Sequence, residues 1–429
     1  MAPNRGPSPT APCSPGRSEP QMRSLAEHQD AILAALPHPA ARRIALDECL
    51  GLVTAQDVHS RVNLPGFPNS AMDGYAVRAA DVAAAGGGES VQLTVVGEVA
   101  AGGDAAGLQV AAGQAVRIMT GAMMPAGADA VVMVEATDGG VATVTVRESV
   151  PVGRSIRPLG EDVRAGDLVI PAGTVVNARV IGLAAATGHG DLPVWPRPAV
   201  AVVSTGDELI QAPHALGPGQ IYESNSGMLA GAATAAGAFT SVRMWLGDDP
   251  DELVRVLSDL AQTHDAIITS GGVSMGAYDV VKAALADYGI DFVQVAIQPG
   301  KPQGFGLLGE RGVPIFALPG NPVSAFISFE AFVAPALAAL MGRDHSRRIV
   351  SGVMGHGLDS PPGRTQIARA VTTRSGDDWV VNPVVGQGSH FLADLVRANS
   401  LVIVPAPTTR LESGDTVEVW LLDDLGGQA

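Results

Sequence analysis

The sequence predicts an α/β multidomain protein: a sheet covered by helices on both faces, flanked by β-rich domains. Three observations lead there. Between residues 178 and 342, short continuous apolar runs alternate with stretches carrying apolar residues at helical spacing. Residues 62–149 and 346–425 instead hold short β-like runs cut by Gly and Pro turns. The chain has 429 residues, more than one core fills, which suggests two to four domains.

Residues 1–23 are rich in Pro and Ser and lack an apolar stretch, so they read as a disordered tail rather than a signal peptide. A helix follows, with Leu25, Ile32, Leu33 and Leu36 on one face, and then two short strands up to 61. In 62–149 the strand candidates are 91–96, 130–134 and 141–146, which suggests a small β-rich domain. Strand-and-turn patterns return at 154–157, 167–170 and 173–175. The stretch 180–186 reads as a helix, and PVWPRP at 193–198 as a stiff linker.

The α/β core then unfolds in sequence. Strands are expected at 199–203, near 242, and at 266–269, 292–296 and 313–317. Helices are expected at 226–236, 250–262, 279–288 and 323–340, and the second carries Leu253, Val256, Leu257 and Leu260 on one face. This alternation implies a parallel sheet between two helical layers. Residues 346–425 suggest a small C-terminal barrel or sandwich.

Composition removes several function classes. The chain is 46% hydrophobic and 16% charged, with a net charge of −16, so a nucleic-acid surface is excluded. An anionic substrate is repelled at long range, and any phosphate site needs local cations, backbone amides or a metal. Only Lys282 and Lys301 are lysines. No run reaches the roughly 18–20 apolar residues of a membrane span, and a soluble cytoplasmic protein is expected. Of the two cysteines, Cys13 lies in the tail, and Cys49 reads as a buried small hydrophobe.

In open parallel sheets, ligands bind beyond the carboxyl ends of the strands. Four loops fall there: Ser204-Thr205-Gly206-Asp207-Glu208, Ser270-Gly271-Gly272-Val273-Ser274-Met275-Gly276, Pro299-Gly300-Lys301-Pro302 and Pro319-Gly320-Asn321-Pro322. The second suits an anion by its exposed amides, or is simply a tight turn needing positive φ. Asp207, Glu208, Asp248, Asp249 and Asp279 sit at loop or helix starts. They suit Mg²⁺ between carboxylates and phosphate, or helix capping. Capping is the better reading for Asp249, the metal for Glu208 and Asp279, and Asp248 is balanced. Pro319 and Pro322 stiffen the last loop, as a pocket wall or as helix-start punctuation.

Together the motifs resemble the MoeA/gephyrin E-domain family, the molybdopterin molybdenumtransferases. The matching stretches are NSAMDGYAV at 69–77, RIMTGAMMPAGADAVV at 117–132, GEDVRAGD at 160–167, STGDEL at 204–209, GQIYESN at 219–225, SGGVSMGAYD at 270–279, PGKP at 299–302 and LPGNPVSA at 318–325. They run in family order across residues 24–342, and the C-terminal part matches more loosely.

The resemblance implies a discontinuous domain I (24–61 and 150–177), an inserted β-rich domain II (62–149), a three-layer α/β/α molybdopterin-binding domain III (178–342) and a β-barrel domain IV (346–425). It implies a homodimer whose sites combine domain III of one subunit with domains I and II of the other. The family reaction inserts molybdate into adenylylated molybdopterin and releases AMP, with molybdopterin adenylyltransferase as the upstream supplier. Carried over, Glu208, Asp248 and Asp279 position Mg²⁺ or substrate. The cofactor-binding set comprises Ser204, Thr205, Gly206, Ser270, Gly271, Gly272, Ser274, Gly276, Pro319 and Pro322. Thr120 and Asp162 close the site, and Lys301, Arg364 and Ser389 hold anionic groups. Pro68, Gln294 and Gln298 depart from the family, which often has Asp at the first and Lys at the other two. The alternative is a gephyrin-like scaffold paralogue that binds a partner peptide.

Overall fold

The computed structural model describes residues 22–273, 280–344 and 347–422. They form two compact units, 40–196 and a second made of the residues before 40 joined to those from 197 onward. Of the expected tail, residues 1–21 lie outside the described residues. Arg23 is part of the fold: its amide donates to the Gln294 carbonyl at 3.0 Å and its guanidinium to Asp291 at 2.6 Å.

Unit 40–196 contains a five-stranded sheet in the order Ala130–Met133, Gly74–Val77, Gln114–Ile118, Val91–Val99, Thr143–Val146. Alternate residues face opposite cores, Tyr75 and Val77 on one side and Ala76 on the other. The turn 69–73 enters this sheet at Gly74, where a Cβ would lie 2.0 Å from the Val132 carbonyl oxygen, so only glycine fits. Cys49 is buried, as expected, with its thiol donating to the Ile44 carbonyl at 3.1 Å.

A second sheet of this unit corrects the linker expected at 193–198. Asp191–Trp195 is a strand, central in a sheet with Arg42–Ala45 and Val53–Thr54. Pro193 brings no donor, but it stands opposite Arg43 and its carbonyl accepts from the Ala55 amide at 2.8 Å. A strand tolerates proline where its donor is not required. The strand expected at 173–175 reduces to one bridge, Val53 to Val175.

The other unit is built on a six-stranded sheet, in the order Phe239–Leu246, Ala199–Thr205, Ala266–Ser270, Val313–Leu318, Pro302–Leu308, Asp291–Gln294. The first four strands are parallel, and Pro302–Leu308 runs antiparallel to both of its neighbours, so the sheet is mixed rather than fully parallel. Pro302–Leu308 escaped the sequence reading because Gly304 and Gly306 interrupt its apolar run. A Cβ at Gly304 would sit 2.8 Å from the Phe292 ring and 2.9 Å from Ala317. Val200 and Val202 pack under the helices Asn225–Ala235 and Pro322–Ser328, while Ala201 and Val203 meet Pro250–Thr263 and Val280–Leu285 on the other face.

The long helix expected at 323–340 is interrupted: Pro322–Ser328 and Ala334–Leu340 are α-helical, and Phe329–Val333 is a π-turn. Its 19 residues, at mean hydropathy 1.8, reach the length and composition of a membrane span, contrary to the sequence expectation. Of that window 78% is buried in the fold, as in the core helix of a globular domain.

The first helix, Leu25–Ala35, starts at a capping box between Ser24 and Glu27. Its buried face packs within the unit built on the six-stranded sheet. Gln29 donates to the Ala331 carbonyl in the π-turn at 2.8 Å, and the His28 ring meets Phe332 edge-on at 4.8 Å. Burial, then the Arg23 charge, pulls His28 from 6.5 down to about 4. The fold therefore takes the neutral ring. Its stability contribution is full above pH 6.5 and is lost as pH falls towards 4. That difference is worth roughly 3 kcal/mol. The urea midpoint should drop across this window and His28→Leu should flatten the drop; the same drop in the variant would clear His28 of it.

The C-terminal barrel is present. Ile349–Met354, Thr365–Ser375, Asp378–Pro383, Ser400–Val404 and Thr416–Leu421 close into five strands, and Ile297–Gln298 extends one side by pairing with Thr365–Ser375.

Candidate functional site

The strands Ala199–Thr205, Ala266–Ser270 and Val313–Leu318 end side by side, and their following loops enclose a cavity of about 440 Å³. Ser204, Thr205, Gly206, Glu208, Asp248, Ser270, Gly271, Gly272 and Pro322 all line it. Two glycines permit this crowding. Gly206 has φ 150°, and a Cβ there would fall 2.5 Å from a Glu208 carboxylate oxygen. Gly271 has φ 104°, and its Cβ would fall 2.7 Å from the Thr205 carbonyl.

The acidic residues separate by role. Asp249 caps the helix Pro250–Thr263, accepting from the Asp251 amide at 2.9 Å. Asp207 accepts from the Asp248 amide at 2.9 Å and so braces the neighbouring loop. Glu208 and Asp248 remain on the cavity wall. Partial burial, then the charges of Asp207 and Glu208, raises the Asp248 carboxyl above its ordinary value. None of the described residues lining the cavity is cationic.

Among the described residues no three His, Cys, Asp or Glu side chains form a metal cage. Mg²⁺ does not need one: it is usually bound through one or two carboxylates, with phosphate oxygens and water completing the shell. Two like-charged carboxylates, one with a raised pKa and neither facing a cation, fit an ion that arrives with a phosphate.

Two residues on the wall carry geometry the sequence reading did not assign, Glu223 and Asn225. Glu223 accepts from the Ser204 hydroxyl at 2.9 Å and the Ser226 amide at 2.7 Å, and so ties a strand end to the start of the helix Asn225–Ala235. Asn225 donates to the Ser270 hydroxyl at 2.9 Å and the Gly320 carbonyl at 2.7 Å, joining two further loops. Their signal was the stretch GQIYESN, matched as a motif without roles for its last residues.

Several expected residues stand elsewhere. Pro319 lies behind the wall, and its carbonyl accepts from Ser270 at 3.2 Å. Lys301, Arg364 and Ser389 are not on the cavity wall. The Lys301 carbonyl accepts from the Val295 amide at 2.8 Å, and that of Ser389 from the Val323 amide at 3.2 Å. Arg364 donates to the Gln298 side chain at 3.2 Å, so the neutral residue at 298 has a partner. Thr120 and Asp162 are exposed residues of the other unit, where Thr120 donates its amide and hydroxyl to Asp73, each at 2.7 Å. Ser274, Gly276 and Asp279 lie outside the described residues.

Comparison with known proteins decides the family. Residues 23–188 match the MoeA N-terminal region (domain I and II), 201–339 a probable molybdopterin binding domain, and 351–422 the MoeA C-terminal region (domain IV). The chain is 45% identical over 411 residues to molybdopterin molybdenumtransferase 2 of Mycobacterium tuberculosis, covering 93% of this chain and 99% of that protein. The chain belongs to the MoeA family. Another relative, the molybdopterin molybdenumtransferase of Bacillus subtilis, is 32% identical, with 90% of each chain covered. Among solved MoeA structures, the molybdopterin biosynthesis MoeA protein of Pyrococcus horikoshii superposes with a TM-score of 0.80 at 28% identity, over 94% of this chain and 100% of that one.

Proposed function

We propose that this MoeA chain is a molybdopterin molybdenumtransferase that inserts molybdate into adenylylated molybdopterin and releases AMP. The observation that carries this reading is the cavity at the strand ends, with two carboxylates on its wall, Glu208 and Asp248, that form no ion pair among the described residues. A strongly acidic protein needs local cations, backbone amides or a metal to hold a diphosphate, and in this reading Glu208 and Asp248 on the cavity wall hold Mg²⁺ for that purpose. Bound there, the ion would neutralise charge building on the phosphate oxygens. The chain's own part is positioning. Glu223 and Asn225 lock the loops around the ligand, and the turns at Gly206 and Gly271 bring backbone close to it.

A homodimer, the four-domain division and the closing roles of Thr120 and Asp162 belong to the same reading. So does the supply of substrate by a molybdopterin adenylyltransferase. The retained carboxylates favour an enzyme over a peptide-binding scaffold. Incubating the protein with adenylylated molybdopterin, molybdate and Mg²⁺ should yield AMP and molybdenum-loaded cofactor; if no AMP forms under these conditions, the reading fails.

A further inference from the structure

Two polar atoms on the cavity wall have no hydrogen-bond partner among the described residues. Asn225 Oδ1 is buried and has no hydrogen-bond partner among the described residues. Thr205 is 6% exposed, and its Oγ1 also lacks a partner among them. Both residues line the same cavity. Buried polar atoms left unpaired cost free energy, so two on one wall mark where a ligand supplies the missing partners.

The chemistry of that ligand follows from the Asn225 amide, whose orientation is fixed. The Gly320 carbonyl can only accept, so the atom facing it at 2.7 Å must be the amide nitrogen. The Ser270 hydroxyl gives its proton to the Pro319 carbonyl at 3.2 Å, so it too accepts from Asn225. Turning the amide over would set its oxygen against the Gly320 carbonyl oxygen and take the Ser270 proton away from Pro319. Oδ1 is therefore held as an acceptor and calls for a donor, an N–H or an O–H. A carbonyl or anionic oxygen placed there would repel it.

We propose that Asn225 is a specificity-determining residue that reads an amino-bearing heteroaromatic edge of the ligand, with Thr205 contacting a neighbouring polar atom. This inference rests on the substrate class proposed above. The phosphate end of the ligand then lies towards Glu208 and Asp248. Two parts of adenylylated molybdopterin carry such an edge, the pterin with its 2-amino group and the adenine with its 6-amino group.

Calorimetry with the wild-type protein distinguishes them. One arm compares pterin with lumazine, the other AMP with IMP; in each pair a carbonyl replaces the amino group. One pair should differ in Kd by about ten- to hundredfold, and that pair identifies the edge. Asn225→Ala should bring the tighter ligand of that pair to the affinity of the weaker one. Thr205→Val, close to isosteric, should weaken the tighter ligand several-fold without abolishing the difference. Equal affinities within both pairs in the wild type overturn the inference, whatever the variants do. Discrimination retained in folded Asn225→Ala also overturns it. Its failure is separable from failure of the function: AMP release without discrimination removes only the role of Asn225, while discrimination without AMP release removes only the transferase reaction.

Discussion

Glu208→Gln should slow AMP release from adenylylated molybdopterin by about 10²- to 10³-fold, the range expected when one preorganised electrostatic contact to the reacting group is lost. The substitution is nearly isosteric and removes only a charge. Glu208 is exposed on the cavity wall and takes no part in an ion pair among the described residues. It also adds to the repulsion felt by Asp248, so folding should not suffer. A thermal melt matching the wild type would confirm that. If Glu208 works through Mg²⁺, raising the magnesium concentration should restore part of the rate. A variant that turns over normally would sink the cation assignment and leave the family untouched.

The site was legible where a motif coincided with a strand end. Ala199–Thr205, Ala266–Ser270 and Val313–Leu318 are continuous apolar runs, and their loops are where parallel-sheet topology puts ligands. Acidic residues were harder to sort, because a carboxylate on a cation and a carboxylate on a helix cap look alike in sequence. Only the bonds to the Asp251 and Asp248 amides separate Asp249 and Asp207 from Glu208 and Asp248. Asn225 was invisible for a related reason: its importance lies in what its amide cannot bond. The strand Asp191–Trp195 was missed because the three prolines of 193–198 dominate a local reading, whereas Arg42–Ala45 and Val53–Thr54, far away in sequence, decide its pairing. Arg23 was read as tail because its partners, Asp291 and the Gln294 carbonyl, lie far along the chain, and the amphipathic face of the helix after it does not say what covers it.

Arg347→Met should destabilise the unit built on the six-stranded sheet by about 3–5 kcal/mol, the usual cost of stranding one partner of a buried ion pair. Glu330 sits in the π-turn Phe329–Val333, and its carboxylate meets Arg347 at 2.9 Å. Burial raises the Glu330 carboxyl and lowers the Arg347 guanidinium, and their mutual attraction opposes both shifts. Desolvation thus outweighs attraction for each group, and the pair survives because neither charge can leave alone. The guanidinium also lies 4.1 Å over the Trp420 ring, on the barrel strand Thr416–Leu421, so one side chain bridges the core helix and the barrel. The double variant Glu330→Gln with Arg347→Met removes both charges and should regain most of the loss. Chemical denaturation of the two single variants and the double gives the coupling directly. Additive losses would mean that the charges act independently and that packing against Trp420 carries the stabilisation.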